Sequence, residues 1–177
     1  MRFLIKLVIF GGIVAGGLWF YGSTLPREHK ASSSITLVAT PEQVYAAVRD
    51  IAQTPTWWRD VNAVRPLKGK RRESWEQEMK GAGPVQIEIT SFVESQRLVT
   101  TILNDDQQDW GGKWTYAIAR TASGTELTIT ETGWIEPPLY RVVMKVRGGP
   151  HRTLDSYLRS LGAKFGEIVT PRHDVAG

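Results

Sequence analysis

Histidine, serine and clustered acidic side chains could carry chemistry in this 177-residue chain, and their positions decide whether they do. His29 lies in a polar stretch near the N-terminus, His151 follows a Gly-Gly-Pro break and His173 belongs to the polar C-terminal residues. A general base must lie within hydrogen-bond distance of the group it deprotonates, and none of these positions predicts a place in a central pocket. Ser123 precedes a glycine in a predicted hairpin turn and lacks the surroundings of a nucleophile elbow. The sequence therefore predicts no catalytic residue.

Motifs for metals and cofactors are also sparse. Asp105, Asp106 and Asp109 crowd one loop and could bind calcium, but the ligand spacing of an EF-hand is absent, so we favour a solvated loop. The segment GAGP at residues 81–84 lacks the lysine and the hydroxyl residue of a phosphate-binding loop. The chain has no cysteine, which excludes thiolate and cysteine–zinc chemistry. We predict no metal and no cofactor.

The charge balance argues against a nucleic-acid partner. The formal net charge is +4, and residues 68–72 form a compact basic run, KGKRR. Nucleic-acid binding needs a broader basic surface than this, so we interpret the run as a charged hairpin. The alternative is a contact with anionic lipid headgroups.

The elements that would position a site begin after an apolar N-terminal segment. Residues 3–21 contain one charge, Lys6, and as a helix would span about 28 Å, close to the hydrocarbon core of a bilayer. We predict that residues 1–22 form a transmembrane anchor; the alternative is a cleaved signal segment, although Gly22 and Ser23 offer poor cleavage sites. The short N-terminal tail favours a single-pass protein in the cytoplasmic membrane with its domain on the outer, periplasmic or extracellular, side.

The rest of the chain divides into three parts. The polar, serine-rich residues 23–33 predict a linker, residues 34–168 a single domain and residues 169–177 a polar tail.

The domain predicts one sheet and one long covering helix. After a first strand at residues 34–39, Thr40 and Gln43 predict the capping box of a short helix. From Asp60 the apolar residues alternate with a period of two through six candidate strands, and after residue 138 the helical period returns. The sequence thus predicts an α+β, helix-grip protein, in which a curved seven-stranded antiparallel sheet wraps around a long C-terminal helix, plus the N-terminal transmembrane helix.

Three segments resemble a known family. They are the first strand with its Thr-Pro-Glu helix start and the Trp57-Trp58 pair, the Gly-Thr strand that ends near Gly133, and the C-terminal helix containing YLRSLGAKFG. Over residues 34–166 the chain is similar to the polyketide cyclase/dehydrase and lipid-transport group of START-like helix-grip (SRPBCC) proteins. The resemblance implies that an apolar ligand, such as a lipid, a polyketide or an aromatic compound, binds between the sheet and the helix.

Alternation along the strands predicts which side chains face that space. Glu131 lies on the more apolar face of its strand, where a carboxylate needs a partner or a ligand, and pairing with a basic side chain is the better interpretation. The aromatic residues could instead fill the core by themselves. The predicted ligand-binding residues are Trp75, Gln77, Met79, Trp114, Tyr116 and Glu131.

Three classes of function fit these features. A membrane-anchored START-like domain that binds an apolar small molecule or lipid uses both the anchor and the predicted site, and we favour it. A polyketide cyclase/dehydrase-like enzyme would need convergent titratable groups, of which the sequence offers only Glu131, so we lean against catalysis. A non-enzymatic protein-binding or assembly factor would be favoured if the cavity proves filled. The sequence identifies no protein partner.

Overall fold

The computed structural model describes residues 2–103 and 109–173, which form an α+β protein. In chain order the elements are α1 (Arg2–Thr24), β1 (Glu28–Leu37), α2 (Pro41–Arg49), a 3-10 turn (Ile51–Gln53), α3 (Thr54–Trp57), β2 (Val61–Pro66), β3 (Ser74–Met79), β4 (Gly83–Val93), β5 (Arg97–Ile102), β6 (Trp110–Thr121), β7 (Gly124–Ile135), α4 (Pro138–Val146), α5 (His151–Lys164) and β8 (Arg172–His173).

The strands form a single antiparallel sheet in the order β2-β3-β4-β5-β6-β7-β1-β8. The predicted α+β class, antiparallel sheet and C-terminal helix are confirmed. The sheet has one strand more than the seven predicted, because Arg172 and His173 pair with Ser34 and Ser33 of β1. Two residues within the predicted polar tail therefore form a short edge strand.

The first strand starts well before the predicted position. Strand β1 begins at Glu28, so the linker predicted at residues 23–33 and the domain start predicted at residue 34 are wrong in this respect. All ten residues of β1 pair with β7, and Ala31 and Ser33 point inward and are buried. Serine has little strand propensity of its own, so this segment is extended because the long partner strand and the core impose the pattern.

The helices cover one face of the sheet. The capping box at Thr40 is confirmed, since the Thr40 amide donates to Gln43 Oε1 at 2.9 Å and the Gln43 amide to Thr40 Oγ1 at 3.4 Å. The break before α5 is a turn in which Gly148 and Gly149 adopt φ values of 99° and 67°, a region that favours glycine. Helix α5 then buries an apolar stripe against the concave face of the sheet.

The N-terminal helix α1 lies outside this core. Residues Phe3–Thr24 are long and apolar enough to cross a membrane, with a mean hydropathy of 2.1 over the most apolar window, although a signal sequence near an N-terminus has the same character. The last turn of α1 packs against α4. This contact fixes the position of α1 relative to the domain at one end.

The position of α5 can be tested by a charge on its buried stripe. Leu158 is completely buried, so Leu158→Asp leaves an unpaired charge in the core and should lower the free energy of unfolding by about 3–5 kcal/mol. Arg159, one residue away, is exposed, and its guanidinium lies 3.5 Å from the Asp155 carboxylate. Because an exposed ion pair contributes little, Arg159→Gln should change the free energy of unfolding by less than about 0.5 kcal/mol. Urea unfolding of the full chain in detergent, followed by circular dichroism, measures both. Equal losses would show that α5 does not cover the sheet.

Candidate functional site

A cavity of about 240 Å³ lies between the concave face of the sheet and the helices. Strands β1 and β3–β7 and helices α2–α5 all contribute to its wall, which is mostly aliphatic and aromatic. Side chains that point inward from so many strands converge because alternation places every second residue on the same face. The core therefore does not fill the whole space under the sheet.

Five of the predicted ligand-site residues line this cavity: Gln77, Met79, Trp114, Tyr116 and Glu131. Trp75, the sixth, does not line the cavity. It packs partly buried against the core, and its Nε1 donates to Glu73 Oε1 at 2.9 Å, which holds the indole beside the Arg49–Glu73 ion pair. Period-two alternation gives the face of the strand correctly but not the direction in which a large ring turns.

Tyr157 of α5 is the centre of an aromatic cluster that forms one wall of the cavity. The rings of Trp57, Trp58 and Trp114 meet it edge-to-face, with centroid distances of 5.1, 4.9 and 5.6 Å, and Tyr116 lies at 5.8 Å. Edge-to-face contacts of this kind stabilise a fixed ring arrangement beyond the burial of area. The sequence showed Tyr157 only as part of a helical stripe, so its central role was not predicted.

A polar group interrupts the apolar wall at Glu131. Trp114 Nε1 donates to Glu131 Oε2 at 3.0 Å, and His29 Nε2 lies 3.0 Å from Glu131 Oε1. The expected basic partner of Glu131 is therefore His29, and the expectation that no histidine reaches the pocket is wrong, because His29 belongs to β1 and not to a linker. Its ring lies over Gly133, where a Cβ would come within 2.9 Å of the imidazole.

The tautomer of His29 follows from its partner. An ionised carboxylate only accepts hydrogen bonds, so a neutral His29 carries its proton on Nε2 and donates it to Glu131. The other nitrogen, Nδ1, then has a lone pair and no hydrogen-bond partner within the part of the chain that the structure describes. This arrangement, a histidine oriented by a carboxylate beside a cavity, is chemically able to accept a proton or a hydrogen bond.

Gln77 supplies a second polar group, on β3, several strands away from the His29–Glu131 pair on β1 and β7. Its side chain is buried, with 8% exposure, and lines the cavity. Its amide therefore belongs to the wall of the same cavity as the His29–Glu131 pair. An amide can both donate and accept hydrogen bonds, so Gln77 is a group to which a bound ligand could hydrogen-bond.

The other two histidines lie in a separate polar cluster beside α5. Ser33 Oγ donates to Asp155 Oδ1 at 3.1 Å and lies 3.2 Å from His151 Nδ1, while His173 Nε2 lies 3.0 Å from both Asp155 oxygens. His151 and His173 stack at 4.1 Å, and burial, followed by the charge of His173, lowers the pKa of His151. Ser33 is completely buried, and the contact between His173 and Asp155 joins β8 to α5.

No set of side chains suited to a metal ion occurs among the described residues. Asp105 and Asp106 of the acidic loop lie outside those residues, so the calcium alternative there stays an untested expectation.

These features define a helix-grip domain with a largely apolar internal cavity. A family model described as polyketide cyclase / dehydrase and lipid transport matches residues 28–165, and the chain belongs to this family. Comparison of the sequence with curated proteins finds no match.

Solved structures share the fold at low sequence identity. The di-domain aromatase/cyclase StfQ of the steffimycin biosynthetic pathway is 10% identical with a TM-score of 0.64 over 77% of this chain, which spans half of that longer chain. A START superfamily protein from Mycobacterium smegmatis is 16% identical, with a TM-score of 0.63 over 78% of this chain and 97% of that chain. The Zhui aromatase/cyclase of a Streptomyces species is 10% identical, with a TM-score of 0.63 over 78% and 94%.

Burial of two cavity-wall tyrosines leads to a prediction in alkaline solution. Burial raises the pKa of Tyr116 and of Tyr157 well above the ordinary value of about 10, because the phenolate would lose its hydration. The unfolded chain ionises both groups near pH 10 and the folded protein does not. Their contribution to stability is therefore complete below about pH 10 and is lost as the pH rises beyond it.

The substitution Tyr116→Phe tests whether the Tyr116 hydroxyl stays protonated in the folded protein at alkaline pH. At about pH 11 the folded mutant and the wild type should form the same number of tyrosinates by ultraviolet difference absorbance, and the mutant should lose less stability between pH 9 and 11. One tyrosinate fewer in the mutant would show that Tyr116 is open to water.

Proposed function

We propose that the protein is a membrane-anchored member of its family that binds a compact apolar ligand in the cavity between the sheet and α5. The cavity itself carries the proposal: its wall is apolar and aromatic, and a few polar groups in it, Gln77 and the His29–Glu131 pair, are placed where a ligand could contact them. Small-molecule sites in proteins have this composition. The words lipid transport in the family's description agree with such a ligand.

The cavity volume restricts the size of the ligand. About 240 Å³ is slightly below the lower end, ~300 Å³, of sites that hold drug-sized molecules. A compact aromatic molecule or a short segment of an acyl chain fits this volume better than a whole sterol or a long polyketide. The rigid ring cluster around Tyr157 opposes expansion of the cavity from that side.

Anchoring is proposed from the length and exposure of α1. Its 23 residues would rise about 34 Å, enough to cross the hydrocarbon core, and its large apolar side chains face away from the domain. The domain would then lie on the outer side of the cytoplasmic membrane. A cleaved signal segment remains the competing interpretation.

The His29–Glu131 pair favours a second candidate function, an enzyme similar to a polyketide cyclase or dehydrase. Two titratable groups in hydrogen-bond contact at a cavity wall are what proton abstraction from a carbonyl compound would need. Solved structures with the same fold include aromatase/cyclases. The protein-binding alternative is not favoured, because its premise was a filled cavity.

Ligand binding can be tested by blocking the cavity from α5. Thr153 lines the cavity, and Thr153→Phe should fill part of it, whereas Arg159→Phe adds the same side chain on the exposed face of the same helix. Native mass spectrometry of the full chain, released from detergent after incubation with N-phenyl-1-naphthylamine, counts bound molecules. We expect one adduct per chain for the wild type and Arg159→Phe, and a loss of about tenfold or more in affinity for Thr153→Phe. No saturable adduct in the wild type would contradict the proposal.

The anchor is tested by charges in the middle of α1. The double substitution Ile9→Arg and Val14→Arg should release the protein from membranes, because each arginine at a helix centre costs about 2.5–3.5 kcal/mol on insertion. Alkaline carbonate extraction, followed by the intact mass of the chain, is the measurement. A wild-type protein that is soluble and has lost its N-terminal residues would establish the signal-segment interpretation instead.

A further inference from the structure

Helix α4 presents an apolar stripe that faces away from the rest of the described chain. Leu139, Val143 and Val146 follow each other at helical spacing and are 47%, 41% and 81% exposed. A stripe of this kind on a soluble surface marks an interaction site, because exposed apolar area is costly to maintain in water.

The same helix is fastened to the end of α1. The backbones at Gly22 and Pro138 approach so closely that no Cβ fits at residue 22. The Lys145 ammonium donates to the Tyr21 hydroxyl at 2.9 Å. One end of the Arg141 guanidinium donates to the Leu25 carbonyl at 2.6 Å. If α1 crosses a bilayer, these contacts hold α4 at the level where the chain leaves the hydrocarbon core.

Charge and aromatic content around α4 are those of a lipid interface. Between residues 138 and 152 the chain carries no acidic side chain and three exposed basic ones, Lys145, Arg147 and Arg152, while a fourth, Arg141, is buried. Basic residues next to a membrane-spanning helix are attracted to anionic headgroups. Trp110 and Tyr140 border a depression beside Leu139 and Val143, with Asp109 as its one acidic side chain, and such rings favour the headgroup region.

The inner side of α4 forms part of the cavity wall. Tyr140 and Met144 line the cavity, while Val143 and Val146 belong to the exposed stripe of the same helix. Helix α4 therefore separates the cavity from the surface on which the exposed stripe lies, with only one helix between the two.

We propose that α4 lies in the headgroup region of the same bilayer that holds α1, so that an apolar ligand passes between the membrane and the cavity beside α4 without crossing water. The proposal rests on the proposed anchoring function of α1. The contacts between α1 and α4 favour a lipid surface as the occupant of the stripe. If α1 crosses the bilayer, the bilayer surface always lies next to the stripe, so the binding of α4 to it behaves as an intramolecular step. An amphipathic helix with basic flanks is a known solution for lying in an interface.

The absence of cysteine from the chain permits a site-specific test. Single cysteines replace Val146 on α4, Ile13 in the middle of α1, and Val38. Val38 is 77% exposed and directly follows β1. Because β1 starts at Glu28, near the end of α1, its extended chain places Val38 about 30 Å from that end of the strand. Each variant of the full chain is labelled with an environment-sensitive nitrobenzoxadiazole dye and reconstituted in vesicles of equal parts phosphatidylcholine and phosphatidylglycerol. Spin-labelled lipid then quenches dyes that contact the bilayer.

The proposal expects strong quenching and a blue-shifted emission at both Ile13→Cys and Val146→Cys, several-fold above the matched valine control Val38→Cys. Adding Arg147→Glu and Arg152→Glu should reduce quenching at residue 146 and leave it unchanged at residue 13. Quenching at residue 13 but not at residue 146 would overturn the docking of α4 and leave the anchor standing, as expected if a protein covers the stripe. Absence of quenching at residue 13 would remove the anchor and the docking together.

Discussion

The ten-residue antiparallel pairing of β1 with β7 is the constraint on which the rest of the structure depends. It places His29 opposite Gly133 and within reach of Glu131, which gives the cavity its polar group. It places Ser33 under α5, where Asp155 accepts its hydroxyl hydrogen. Because β1 starts only a few residues after α1 ends, the same pairing holds the end of α1 beside α4 and the cavity. A free linker would have separated α1 from the cavity, whereas the paired strand keeps the two close together.

The parts of the fold that local physics dictates were predictable from the sequence. The capping box at Thr40 follows from two side chains three residues apart. Alternation predicts Gln77 and Tyr116 on the inner face, because successive side chains of a strand point to opposite faces of the sheet. The extent of β1 was not predictable in this way. A run of serines has the composition of a linker, and only the distant partner strand β7 makes it extended and buried.

The sequence allowed us to predict which face of a strand each site residue lies on, but not which side chains touch each other. The inward direction of Trp75 is correct, yet a hydrogen bond to Glu73 turns its indole away from the cavity. Tyr157 lies on a helical stripe whose spacing is equally typical of ordinary core residues, and nothing in the sequence shows that three tryptophan rings meet it. Such contacts join elements far apart in the chain, so a single sequence carries no pattern for them.

The cavity is costly for the domain that contains it, and this cost is the physical argument for a function inside it. The apolar side chains around a space of about 240 Å³ forgo the packing contacts that a filled core would give them. Domains of this size are stable by only about 5–15 kcal/mol. A larger side chain at Thr153 or Met144 would relieve part of this cost, so an open cavity is best explained by a ligand that fills it and in doing so stabilises the fold.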